Sequence, residues 1–131
     1  MRWEFHTEAP IYAQLMERIQ RMIVSGALGP GARLPSVRVF AQEAGVNPNT
    51  MQKALTELER SGLIYSQRTA GHFVTADPAA IAAARDHLAA SQVRLYLRSM
   101  EELGYGPAEA GRLLRNQLSP KGVTADADPD L

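Results

Sequence analysis

The sequence predicts a mainly α fold with one small β-hairpin. Apolar residues recur at three-to-four spacing in five separate stretches, which is the helical period. Two short apolar runs, residues 63–66 and 72–75, flank a glycine-containing turn, the pattern of a hairpin. The stretch between Arg33 and Leu63 reads as two helices joined by a short turn, and the rest of the chain is organised around it.

Each element has a local reason. In residues 1–9, Trp3 and Phe5 alternate with Glu4 and His6, which predicts an extended arm packing its two aromatics; an arm reaching a partner is the alternative. A helix over residues 10–25 places Ile11, Leu15, Ile19, Met22 and Ile23 on one stripe. Gly26 closes it, a Gly/Pro-rich turn follows, and Arg33 with Leu34 suit a very short strand. Ser36 is placed to cap the next helix, whose apolar residues are Val37, Phe40, Ala41 and Ala44, and Gly45 ends it. Asn47 is a good N-cap, and Pro48 at the first helical position loses no useful N–H. This third helix buries Met51, Ala54, Leu55 and Leu58 and stops at Ser61–Gly62. After the hairpin, Asp77 caps a long helix over residues 78–103, and Pro107 starts a last one to Leu118. Residues 119–131 hold proline, glycine and three aspartates and are expected to be disordered.

Composition narrows the function. A chain of 131 residues is one domain, or one small domain with an appendage. There is no cysteine, hence no disulfide and no thiol chemistry, which suits a reducing cytoplasm. No apolar run reaches the ~18 residues of a membrane span, and the first residues do not form a signal peptide. His6, His72 and His87 have no metal-ligand spacing, and no catalytic, P-loop or dinucleotide motif occurs, so no enzyme activity, metal or cofactor is expected. The formal net charge is zero, yet the first 76 residues hold eight basic and six acidic side chains. A local basic surplus, not the global sum, governs phosphate binding.

The third helix opens with Asn49, Gln52 and Lys53 on one face and Thr50 beside them. Hydrogen-bonding side chains and a cation at the start of a helix, with apolar residues behind, are what a DNA recognition helix requires. The pieces PIYAQL (10–15), SGALGPGARLPSVR (25–38), GVNPNT (45–50), KALTELERSGLI (53–64) and GHFV (71–74) together resemble the GntR family of bacterial transcription regulators, and the short helical tail is similar to the YtrA subfamily. The resemblance implies a winged helix-turn-helix over residues 1–76. Its DNA-facing residues would be Arg38, Asn47, Asn49, Thr50, Gln52, Lys53, Arg68, Thr69 and Gly71. Base readout is expected mainly from Asn49, Gln52 and Lys53, since amides bond adenine bidentately and lysine reaches guanine acceptors. Thr69 stands where relatives carry the first glycine of the wing. Either the tip geometry changes, or the DNA contact moves to the Thr69 hydroxyl.

The two helices of residues 77–118 are too few to build a core of their own. Their apolar stripes are therefore expected to bury against the first helix and against the same helices of a second subunit, with Ile81, Leu88, Val93, Tyr96, Leu97, Met100, Leu103, Leu113 and Leu114 as the dimerisation residues. A two-fold homodimer suits a double-stranded DNA operator with two half-sites. The tail is expected to hold no ligand pocket of ~300 Å³ within one subunit, the lower range for such sites, so the effector stays unknown. A cytoplasmic repressor of its own operon, often of transporter genes, is what the resemblance implies. The rival reading is a winged helix that docks proteins without touching DNA.

Overall fold

A computed structural model of the chain describes residues 3–7 and 9–119; the tail from residue 120 onward, expected to be disordered, lies outside the described residues. Along the chain run α1 (Ile11–Val24), α2 (Val37–Ala44), α3 (Pro48–Arg60), β1 (Ile64–Gln67), β2 (Gly71–Val74), α4 (Pro78–Glu102) and α5 (Pro107–Leu118). The hairpin strands begin one residue later in β1 and one earlier in β2 than the apolar runs suggest. Leu63 is withheld from β1 because its N–H closes α3, donating to the Leu58 carbonyl at 3.2 Å.

The chain divides into two compact units, Met1–Leu88 and Ala89–Leu131, with the division inside α4. The first unit is built on α3, whose Met51, Ala54, Leu55 and Leu58 are all fully buried. Leu15, Ile19 and Ile23 of α1 and Phe40, Ala41 and Ala44 of α2 complete this core with Ile64 and Val74 of the hairpin. Each large aliphatic side chain so buried contributes about 1.5–3 kcal/mol. The arm packs as its alternation predicts: Trp3 meets the Phe40 ring edge-on at 5.9 Å, and both Trp3 and Phe5 lie against the core. Gln14 pins the arm, accepting from the His6 N–H at 3.0 Å and donating to the His6 carbonyl at 2.7 Å. Ile11, expected in the α1 stripe, is instead 39% exposed.

The start of α4 also belongs to this core. Ile81 is only 7% exposed there, and Arg85 Nη2 donates to the Val24 carbonyl at 3.0 Å, capping the end of α1. The apolar area of Ile81 is thus largely covered within its own chain. Leu88, half-buried, falls in the same unit.

β1 and β2 pair antiparallel from Ile64↔Val74 to Gln67↔Gly71. Residues 32–34 lie along the other side of β2: Arg33 bridges Phe73, the Leu34 N–H donates to the His72 carbonyl, and the Val74 N–H donates to the Ala32 carbonyl, both at 2.8 Å. The wing is thereby tied to the segment that leads into α2. At its tip Thr69 has φ +64°, and no other non-glycine residue among those described has a positive φ. Threonine itself occupies the left-handed position, and its hydroxyl donates to the Arg68 carbonyl of its own chain.

In the second unit, α4 ends on Gly104 (φ +98°), with the Tyr105 N–H donating to the Met100 carbonyl at 2.9 Å. This pattern satisfies carbonyls that a helix end leaves open. The Tyr96 hydroxyl donates to the Ala110 carbonyl at 2.7 Å, joining α4 to α5. Ala110 is the one buried residue among those described in this unit. Leu103 and Leu118 are 71% and 65% exposed, Val93 and Leu114 are also exposed, and Tyr96, Leu97, Met100 and Leu113 are half-buried. Arg94, Leu97, Arg98, Glu101, Tyr105, Gly106 and Pro107 line an open cleft of about 350 Å³.

The left-handed threonine generates a prediction. A non-glycine residue there costs about 1–2 kcal/mol, while glycine loses about 0.5–1 kcal/mol more backbone entropy on folding. Thr69→Gly is therefore expected to raise stability by about 0.5–1 kcal/mol in denaturant unfolding. A fall in stability would mean that the hydroxyl bond to Arg68 outweighs the strain.

Candidate nucleic-acid interface

The polar start of α3 is organised by its cap. Asn47 Oδ1 accepts the Asn49 N–H at 2.7 Å, while Pro48 occupies the first turn. Because the next faces of the helix are sealed in the core, Asn49, Gln52 and Lys53 are left exposed, with Thr50 half-buried. The helix N-terminus adds partial positive charge, which favours a phosphate nearby.

Asn49, Thr50 and Lys53 meet Ile11 and Tyr12 of α1 around one shallow depression of about 360 Å³. The Lys53 ammonium sits 4.0 Å from the Tyr12 ring centroid. Gln52 is outside that lining, and its amide donates to Thr56 Oγ1 at 3.3 Å. Asn47 differs from the rest, since its carbonyl oxygen already accepts the cap bond, while its NH₂ stays free to donate.

A second depression, of about 400 Å³, separates the wing from the start of α2. Thr69 and Gly71 line it together with Arg33, Ser36, Ser66 and His72. Ser36 caps α2, its hydroxyl accepting the Val39 N–H at 3.3 Å. Arg38 follows in the first turn of α2, exposed, where a cation gains nothing from the helix dipole. Arg68 is exposed at the wing tip, flanked by Gln67 and Thr69 of that lining. Ser66 Oγ donates to Glu59 Oε2 at 2.6 Å, linking the wing to the end of α3. Gly71 (φ +104°) lies close under Arg33: a Cβ there would come within 3.5 Å of Arg33 Nε.

Sequence reasoning missed Tyr12 and Arg33. Tyr12 carries no signal in the helix-turn-helix stretch, because only the packing of α1 on α3 brings it to Lys53. Arg33 had one readable sign: a cation three residues before the Ser36 cap, in a segment already suspected of being extended.

Three helices with α3 across the others, followed by a hairpin tied to the approach to α2, define a winged helix-turn-helix. The chain belongs to the GntR family: residues 11–74 match the model of the bacterial regulatory proteins, gntR family. It is 35% identical over 101 residues to the helix-turn-helix transcriptional regulator YhcF of Bacillus subtilis strain 168, covering 77% of this chain and 84% of that one. To the transcriptional repressor YtrA of the same organism it is 39% identical over 69 residues, 53% of each chain. A GntR family transcriptional regulator from Listeria monocytogenes superposes with a TM-score of 0.76 at 31% identity, covering 86% of this chain and 98% of that one. The DNA-binding domain of AraR in complex with operator ORX1 superposes with a TM-score of 0.53 at 31% identity, covering 57% of this chain and 96% of that one. Among the described residues no helix is long and apolar enough to cross a membrane.

The cap and the exposed amide two residues later separate in a stability measurement. Asn47→Ala removes a capping bond and should lower stability by about 1 kcal/mol. Asn49→Ala touches only exposed surface and should stay within about 0.5 kcal/mol of the parent. Equal losses in denaturant unfolding would assign Asn49 a structural role instead.

Proposed function

We propose that this regulator is a homodimeric repressor of its own operon that binds a double-stranded DNA operator with two half-sites. The observation that carries the reading is the capped, exposed start of α3, where Asn49, Gln52 and Lys53 project from a helix whose other face is wholly buried. In this reading Asn49, Gln52 and Lys53 meet base edges in the major groove, and Arg38, Thr50 and Arg68 meet phosphate or the minor groove. Asn47 sets the start of the helix, and Thr69 with Gly71 shape the wing. That YtrA is named a repressor and that AraR is seen on an operator support the same assignment.

The exposed apolar side chains of the second unit support the dimer. Val93, Leu103 and Leu114 stand in water in a unit whose described residues include a single buried one, and Tyr96, Leu97, Met100 and Leu113 are only half-covered. Large apolar side chains left exposed together in a unit with almost no core support an association site there. Light scattering of the full chain should give about twice the 14.3 kDa chain mass. Leu103→Glu combined with Leu114→Glu should return it to the chain mass and weaken operator binding, because paired half-sites are lost. A monomeric parent chain with undiminished operator affinity contradicts the dimer.

Arg38 and Asn49 test the two kinds of DNA contact. The probe is the duplex that the protein selects from a random-sequence pool, compared with a scrambled version at several salt concentrations. Asn49→Ala should cost about 1–3 kcal/mol on the selected duplex and little on the scrambled one. Arg38→Ala should weaken both, with a salt slope shallower by about one unit per half-site. Equal weakening of both duplexes by Asn49→Ala, or an unchanged slope for Arg38→Ala, would reverse the roles.

A further inference from the structure

We infer that Tyr12 is a positioning residue for base readout: its ring face holds the Lys53 ammonium at the mouth of the groove-facing surface. The inference rests on the DNA-binding reading above and adds to it a residue outside the helix-turn-helix.

The two side chains come from different elements. Tyr12 is the second residue of α1, and Lys53 lies in the second turn of α3. The packing of α1 on α3 puts the ammonium 4.0 Å from the ring centroid, well inside the ~6 Å over which a cation is attracted by the negative face of an aromatic ring. Tyr12 is half-buried, so its ring is braced by the fold, whereas Lys53 is exposed. Among the described residues the lining of this depression is Ile11, Tyr12, Asn49, Thr50 and Lys53, with no carboxylate. The ring therefore steers the lysine without neutralising it.

The consequence follows from the chemistry of lysine. Its ammonium is a point charge on a flexible four-carbon stem, and fixing that stem on binding is a loss of rotamer freedom. A ring that already restrains the stem beside Asn49 and Thr50 reduces the loss. It also favours one direction of approach, towards the acceptors of a guanine in the major groove. A lysine without the ring would still attract phosphate, but would discriminate bases less.

The experiment uses the full chain, the duplex selected from a random pool and its scrambled version. Tyr12→Leu should weaken binding to the selected duplex about two- to fivefold and leave the scrambled duplex unchanged. Tyr12→Phe keeps the ring face and should bind as the parent does. In a Lys53→Met background, Tyr12→Leu should cause no further loss. In the free protein, the Lys53 Hε resonances should be shifted upfield by the ring, a shift retained in Tyr12→Phe and abolished in Tyr12→Leu. If Tyr12→Phe loses as much as Tyr12→Leu, the hydroxyl contacts DNA directly and the inference is overturned. It is overturned equally if the Tyr12→Leu loss persists without Lys53, or if the upfield shift is absent. Selection of a duplex at all, and its dependence on Asn49, tests the DNA reading separately. A protein that passes those tests and fails the ring tests keeps its function and loses this inference.

Discussion

Met51, Ala54, Leu55 and Leu58 leave no apolar side of α3 in water, since α1, α2 and β1 close over all four. Rotating α3 about its axis would expose these side chains and bury Gln52 and Lys53 in their place. Burying an unpaired ammonium or amide costs several kcal/mol on top of the lost apolar contacts. The direction of Asn49, Gln52 and Lys53 is therefore a consequence of the core. Everything that meets a partner on this face depends on that one buried stripe.

The wing is held by a different means. A two-stranded hairpin is marginal by itself, and this one gains a third line of backbone bonds from Ala32 and Leu34 and an anchor from Ser66 to Glu59. The stacked pair Tyr65 and Phe73, ring centroids 5.6 Å apart, covers its outer face. That support lets the tip tolerate a threonine at φ +64°, a conformation this β-branched residue takes poorly. The same bonds fix the distance between the wing and the start of α2. Arg33, Arg38 and Arg68 thus belong to one framework although they lie on three different segments.

The second unit reverses the balance of the first. α4 stops on a left-handed Gly104, and Glu109, in the first turn of α5, is held below the usual carboxylate range by its hydrogen bond to Arg112. Yet the described residues bury almost no apolar side chain there. Local helix signals and tertiary burial are separate quantities, and this segment has the first without the second. An uncovered apolar face on well-formed helices is what an association surface requires, and it is the physical basis of the proposed dimer.

Several features were legible in the sequence because they depend on neighbours in the chain. Ser36, Asn47 and Asp77 cap helices through side chains that reach only two or three residues ahead. Gly45 takes the left-handed stop that ends α2. The three-to-four spacing identified the buried residues of α3 one by one, because burial of a single helix face follows the helical period. The resemblance to the GntR family rested on these same local motifs. Other features needed the tertiary structure, because they join segments far apart in the chain. Ile81 reads like the start of an apolar stripe with two possible partners, and only the tertiary structure shows that the first core covers it. Thr69 could be seen to be an unusual residue for a wing tip, but that it takes a left-handed φ of +64° there depends on the bonds that brace the hairpin. The pairing of Tyr12 with Lys53 has no trace in spacing or composition. It exists because two helices cross, and a crossing is decided by the packing of side chains that no local pattern records.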